Sequence, residues 1–263
     1  MWDDANAYDV ATGWYEDDLP YWESLVDSYR PARVLELACG TGRVTLPLSK
    51  AGFRHDPTFR LVGLDSSVAF LDRAREKLRV APSNLSTVVS FVQGDMREFD
   101  LGEDFDLVIL PYNSLTFLHD IDDQLSCFAS VRQHLTPGGR FAIDMSVPDF
   151  GLLHEAQHYF PLLRQELSRH HPAPGIRYFA SSYVSEYDLA TQKESTTHHW
   201  QFYGEDGRLE TSAKHLTWHM YFPRELELLF GASGLKPEEK YGGYDLSPFS
   251  SSSRQYLWVM AAI

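Results

Sequence analysis

The chain has 263 residues, with 23 basic against 37 acidic side chains and a formal net charge of −14. Binding to a phosphate backbone needs clustered Lys and Arg that displace counterions, and no such run is present, so nucleic acid is not an expected partner. Two cysteines, Cys39 and Cys127, make no disulfide framework or zinc motif. No positive leader and no apolar run of the ~18 residues a bilayer requires is visible, so a cytoplasmic chain without a membrane partner is expected.

The first thirty residues read as helix. From Arg33 a repeated rhythm of short apolar strand, turn and amphipathic helix begins: strands over 33–38, 59–65, 89–95, 105–111 and 140–145, and helices from the glycines to about Lys50, over 67–78 and over 122–135. Pro137-Gly138-Gly139 is the expected stop of that last helix. Five strands alternating with helices predict an α/β fold, a Rossmann-like, doubly wound, mostly parallel sheet with right-handed crossovers. The period changes after Gly175: three long strands follow, the last two separated by a turn at Gly204–Gly207, and predict an antiparallel meander. Pro223 to Gly234 carries the start and stop signals of a helix, and 235–241 and 253–263 supply two more strands, seven in all for the main sheet. The predicted division is a helical cap over 1–32, a main domain over 33–150 and 223–263, and an inserted lid over 151–222.

Chemistry concentrates where strands end. In Glu36-Leu-Ala38-Cys39-Gly40-Thr-Gly42 the glycines let the backbone bend and approach a ligand. A dinucleotide fingerprint needs a small third residue where Thr45 stands, and Glu36 would repel a phosphate, so the stretch suits an ammonium better than a pyrophosphate. Asp65, followed by Ser66, closes the second strand, where such an acid accepts bonds from a ribose diol; the competing possibility is a helix N-cap. Gly94-Asp95-Met96 ends the third strand, with Asp95 placed to accept a purine amine and Met96 to pack on the ring.

With these residues in place, the chain resembles the class I S-adenosylmethionine-dependent methyltransferases over about residues 33–145, through ELACGTG, GLD, QGDM, FDLVILPYNSL and LTPGGRFAID. Ala38 replaces the first glycine of the family's pattern. The resemblance implies S-adenosylmethionine as cofactor, with Glu36 near its methionine end, the backbone from Ala38 through Cys39 and Gly40 to Gly42 around it, Asp65 and Ser66 at the ribose, and Gly94, Asp95 and Met96 at the adenine. Leu110, Tyr112 and Asn113 would border the methyl-donor sulfur. A looser likeness in layout is to small-molecule enzymes with an antiparallel lid, sugar N,N-dimethyltransferases among them.

Methyl transfer from a sulfonium needs alignment more than acid–base chemistry. His119, in NSLTFLHD, and Tyr15, in ATGWYEDDLPYW, are the catalytic candidates; a solvent-facing histidine and a helix-core aromatic cluster are their structural alternatives. Cys39 is expected to be a packing residue. The lid is rich in Tyr, Trp, Phe and His, which predicts an aromatic or hydrophobic small-molecule acceptor, or a homodimer through the lid. Neighbours in a strand face opposite sides, so the histidine pairs at 170–171 and 198–199 cannot chelate as units, and no metal is expected. The expected activity is methyl transfer to nitrogen, or to oxygen with His119 as base. A cofactor-binding sensor or partner subunit is the competing class, and a nicotinamide oxidoreductase is disfavoured by Thr45 and Glu36.

Overall fold

Consecutive residues of the central strands serve opposite layers. In β4 (Phe105–Leu110), Leu107 and Ile109 join a core with Tyr21, Trp22, Leu25 and Val26 of α2 (Leu19–Tyr29) and Leu48 and Ala51 of α3 (Thr45–His55). Val108 and Leu110 join the other core, with Phe128 and Val131 of α5 (Ile121–Gln133) and Leu226 and Phe230 of α7 (Pro223–Ala232). A strand covered on both faces has no solvent side to spend on polar residues, which is why FDLVIL is almost wholly apolar. The structure is a computed structural model describing residues 5–158, 162–168 and 175–263, with the side chains of 162–168, 176 and 179 left aside.

The main sheet has seven strands in the order β10 (Leu235–Tyr241), β11 (Gln255–Ala262), β5 (Leu135–Ser146), β4, β1 (Arg33–Leu37), β2 (Arg60–Asp65) and β3 (Val89–Gln93). β11 is antiparallel to both its neighbours and the other pairings are parallel. The order reverses at β1, so the carboxyl ends of β1 and β4 flank the crevice where such sheets take ligands. A second sheet of four antiparallel strands, β6 (Leu162–Ser168), β7 (Ile176–Asp188), β8 (Lys193–Gly204) and β9 (Leu209–His219), follows α6 (Phe150–His158).

Four local expectations change. The second sheet has a fourth strand, β6, beyond the three predicted. Pro137-Gly138-Gly139 lies within β5: Phe105 pairs with Leu135 but Leu107 with Arg140, so the three residues bulge out of the ladder, which a proline lacking an N–H cannot join. The helix after the glycines begins only at Thr45 and runs past Lys50 to His55, because the chain is still turning through Val44. The N-terminal segment breaks into α1 (Ala5–Thr12) and α2 around Gly13–Asp18.

Candidate active site

The glycine bend joins β1 to α3. Ala38, Gly40 and Gly42 take left-handed φ values of 52°, 56° and 78°. Glycines reach this region without strain, whereas Ala38 carries a Cβ there. Below the bend, Glu36 is buried and accepts from the Thr45 hydroxyl at 2.6 Å. The position that excluded a dinucleotide fingerprint thus holds the acid in place. Burial drives the Glu36 carboxyl up to about 8, with the Thr45 bond and Arg43 pulling against it.

Asp65 at the end of β2 braces the bend from the other side. Its Oδ2 accepts from the Gly40 N–H at 2.8 Å and its Oδ1 from the Ser67 N–H at 2.8 Å. Each oxygen keeps a lone pair for another donor. The N-cap of α4 (Val68–Val80) is Ser67, whose side chain accepts from the Phe70 N–H, so Asp65 is not the cap. Desolvation raises the Asp65 carboxyl, against three backbone donors that lower it.

A cavity of about 230 Å³ runs over these strand ends, lined by Ala38, Asp65, Ser66, Gly94, Asp95, Met96, Phe117 and Leu118 among others. Asp95 is not free in it: Arg97 clamps both carboxylate oxygens at 2.6–3.0 Å, and this bonding holds the acid below its usual range. A tighter recess of about 20 Å³ shares Ala38 and is lined by Tyr8, Glu36, Cys39, Arg43, Pro111 and Tyr112. Burial pushes the Cys39 thiol well up, which leaves it a packing group as expected.

Three predicted positions are placed differently from expectation. Leu110 is fully buried in the core, because strand alternation turns its side chain away from the crevice; Pro111 and Tyr112 line it instead. The Asn113 side chain is spent on β5, accepting from the Ser146 N–H at 2.5 Å and donating to the Ser146 hydroxyl at 3.2 Å. Both Tyr112 and Asn113 are left-handed, at φ 58° and 59°, backbone strain of the kind concentrated at ligand sites. His119 donates from Nε2 to the Thr217 carbonyl of β9 at 2.7 Å, which ties the segment after β4 to the second sheet.

The cap supplies residues that the sequence did not single out. Asp9 of α1 accepts from Thr41 in the glycine bend at 2.5 Å and from Arg73 and Lys77 of α4 at 2.9 and 2.5 Å. Asp18 is fully buried and takes both arms of Arg43 at 2.6 and 2.7 Å, while Arg43 also donates to the Tyr15 carbonyl. The guanidinium lies over the Tyr15 and Tyr112 rings, 5.4 and 4.8 Å from their centroids. A lone Arg after the second glycine and an acidic run, Glu16-Asp17-Asp18, before α2 were the available signals. The helix-core alternative holds for Tyr21 and Trp22, which are buried, but not for Trp14, half exposed, or Tyr15, which faces the recess region.

The second sheet meets α1 as well: Val10 and Ala11 pack on Trp200 and Phe202. Beside them His198 stands between Tyr183, Trp200 and Trp218, with burial lowering its imidazole to about 4. The pair at 170–171 lies outside the described residues. Among the described residues no group of three metal-ligating side chains forms, and no helix is long and apolar enough to cross a membrane.

Residues 34–139 match the model of the methyltransferase domain family. The CcbJ methyltransferase from Streptomyces caelestis superposes over all of both chains with a TM-score of 0.73 and 26% identity. Residues 34–139 thus form a methyltransferase domain. Two relatives share this half: the cypemycin N-terminal methyltransferase of a Streptomyces species, 30% identical over 47% of this chain and 46% of that protein, and the dTDP-3-amino-3,4,6-trideoxy-alpha-D-glucopyranose N,N-dimethyltransferase of Streptomyces venezuelae, 32% identical over 46% of each. The chain thus spans about half the length of the curated relatives it matches.

The residues fit S-adenosylmethionine. Two acids, Glu36 and Asp65, face a glycine bend that a phosphate-bearing ligand would find hostile, and the cavity between Asp65 and Met96 offers both a polar rim and apolar walls. Glu36 and the recess would hold the ammonium end, Asp65 the ribose, and Gly94 to Met96 with Phe117 and Leu118 the adenine. Because Arg97 already engages Asp95, a purine amine would share that carboxylate with it.

Proposed function

We propose that the chain is an enzyme that transfers a methyl group from S-adenosylmethionine to a nitrogen of a small molecule by in-line displacement, under a lid formed by residues 151–222. The bound sulfonium supplies an electrophilic methyl carbon with a built-in leaving group. The chain's own work is to orient the acceptor, exclude water and hold polar groups around the reacting nitrogen. The observation that carries this is the pair of adjoining cavities that share Ala38, one lined by Asp65 and the other by Glu36, with Tyr15 packed on Tyr112 beside the second. Support for nitrogen comes from the two relatives, whose names specify an N-terminal and an amino-sugar N-methylation.

Tyr15 and His119 are the side chains assigned to the acceptor. The lid's Tyr183, His198, Trp200 and Trp218 favour an aromatic or hydrophobic one, and a second copy of the chain docking through the lid remains part of the proposal. Two free, buried thiols suit a reduced cytoplasmic setting. Transfer to oxygen has one observation in its favour: the bond from Nε2 to Thr217 leaves Nδ1 of His119 as the basic nitrogen.

Calorimetric titration with S-adenosylmethionine, joined to a mass-detected methyl-transfer assay over paired amines and phenols, tests the proposal. Binding plus turnover of amines is expected. Binding without any turnover would point to a sensor or partner subunit, and turnover of phenols alone to His119 as base.

A further inference from the structure

The Tyr15 hydroxyl donates to the Tyr244 oxygen at 3.2 Å, and Tyr244 donates to Oδ2 of Asp144 at 2.9 Å. An ionised carboxylate only accepts, so this chain has one polarity: the Tyr244 proton points at Asp144 and the Tyr15 proton points at Tyr244. The Tyr15 oxygen therefore turns lone pairs, not a proton, toward its free side. Asp144 is buried at the carboxyl end of β5, and its carbonyl accepts from the Asn113 N–H at 2.9 Å. The Tyr15 ring lies 5.4 Å from that of Tyr112, which lines the recess. Cofactor binding has no evident use for a carboxylate placed this deep behind two phenols.

We infer that Asp144, acting through Tyr244, sets Tyr15 to accept a hydrogen bond from an acceptor N–H and takes up the proton that this nitrogen sheds. The inference rests on the proposed acceptor position beside Tyr15. As the nitrogen forms its bond to the methyl carbon, the old carbon–sulfur pair stays on sulfur. The N–H proton passes to the Tyr15 oxygen, the Tyr15 proton to Tyr244, and the Tyr244 proton to Oδ2, leaving Asp144 neutral and both phenols restored. An acceptor lacking an N–H or O–H donor finds no complement at Tyr15.

The surroundings keep Asp144 poised for this. Burial lifts its carboxyl to about 7; Tyr244, the Tyr112 backbone and Arg43 lower it, and Asp18 raises it. Tyr21 of α2 also faces it. Tyr15 itself sees Asp17 and Asp18 besides Asp144, and both Tyr15 and Tyr244 are pushed up by burial, so neither phenol ionises near neutrality. Among the three groups of this relay, Asp144 is the one that changes charge there. Asp144 and Tyr244 are positioning residues, and Tyr15 is the one that touches the acceptor.

The test uses the full-length protein with ¹³C-labelled tyrosine Cζ and aspartate Cγ, assigned with Tyr15→Phe, Tyr244→Phe and Asp144→Asn. The Asp144 signal is expected to titrate near neutral pH and the Tyr15 signal to follow with the same midpoint. Tyr244→Phe should abolish the Tyr15 response while the Asp144 titration persists. A Tyr15 signal that is flat with pH, or that still follows in Tyr244→Phe, overturns the inference. With whichever amine the library screen finds turned over, kcat/KM should rise through neutral pH, and Asp144→Asn should remove that limb and lower kcat tenfold to a hundredfold, with S-adenosylmethionine affinity within twofold. An unchanged limb and rate in Asp144→Asn also overturns it. Absence of any turnover refutes methyl transfer instead, and the labelled titration still decides the relay.

Discussion

The Thr45 hydroxyl reaches back from the first turn of α3 to donate to Glu36 on the preceding strand at 2.6 Å. This single bond is the main interaction opposing the burial that lifts the Glu36 carboxyl to about 8. In the unfolded chain the same carboxyl ionises near pH ~4.3. The folded protein therefore holds a proton that the unfolded chain has lost, and Glu36 subtracts stability as pH rises from about 4.3 to about 8.

Glu36→Gln removes that penalty. Its Tm in the ligand-free state should exceed the wild-type value by roughly 3–6 °C at pH 8.5, with the gap closing by pH 5, as read by calorimetry. Its affinity for S-adenosylmethionine should fall at least tenfold. In the wild type an arriving ammonium favours the carboxylate, so binding at pH 7 should release a proton, seen as an apparent enthalpy that changes with buffer ionisation heat.

Ala38 pays for a left-handed backbone that a glycine would not. Replacing it, Ala38→Gly relieves about 1–2 kcal/mol of strain and returns part of this as unfolded-chain entropy, for a net stabilisation of about 0.5–1 kcal/mol. Urea unfolding at fixed m-value measures it. Destabilisation would mean that the Ala38 methyl group packs more favourably than its strained backbone suggests.

Asp65→Asn puts an amide donor against one of two backbone N–H groups, at Gly40 or Ser67, that now find an acceptor. A buried clash of donors costs about 1–3 kcal/mol. Tm should fall, and S-adenosylmethionine affinity should drop a hundredfold or more, because both the bend and the ribose acceptor are lost. Asp65→Glu should not rescue either.

Asp9 holds α1 against the bend through Thr41, Arg73 and Lys77, in a partly buried cluster. Asp9→Ala leaves the half-buried Lys77 without its carboxylate. Limited proteolysis should then cut within the first 18 residues much faster than in the wild type, and S-adenosylmethionine should restore protection only at higher concentration. Equal cleavage rates would show that apolar packing of Val10 and Ala11 suffices to seat the helix.

The strands, the alternating helices and the doubly wound class were legible in the sequence, since strand alternation and turn residues are local signals. The expected places of Glu36, Asp65 and the glycines come from the ends of β1 and β2 and the turn that follows β1. Asp144 was not legible in the same way: in FAIDMS it is one acid in an apolar strand, and its partner Tyr244 arrives from a loop a hundred positions on. Arg43 and Asp18 are likewise complementary only after the cap folds back. Leu110 and Asn113 were misplaced because proximity in sequence to the crevice says nothing about which side of the strand a side chain takes, nor about a neighbouring strand competing for an amide.

Helix α1 touches the glycine bend and α4 through Asp9 and touches the second sheet through Val10 and Ala11 on Trp200 and Phe202. A displacement of α1 would therefore disturb the glycine bend and the second sheet together.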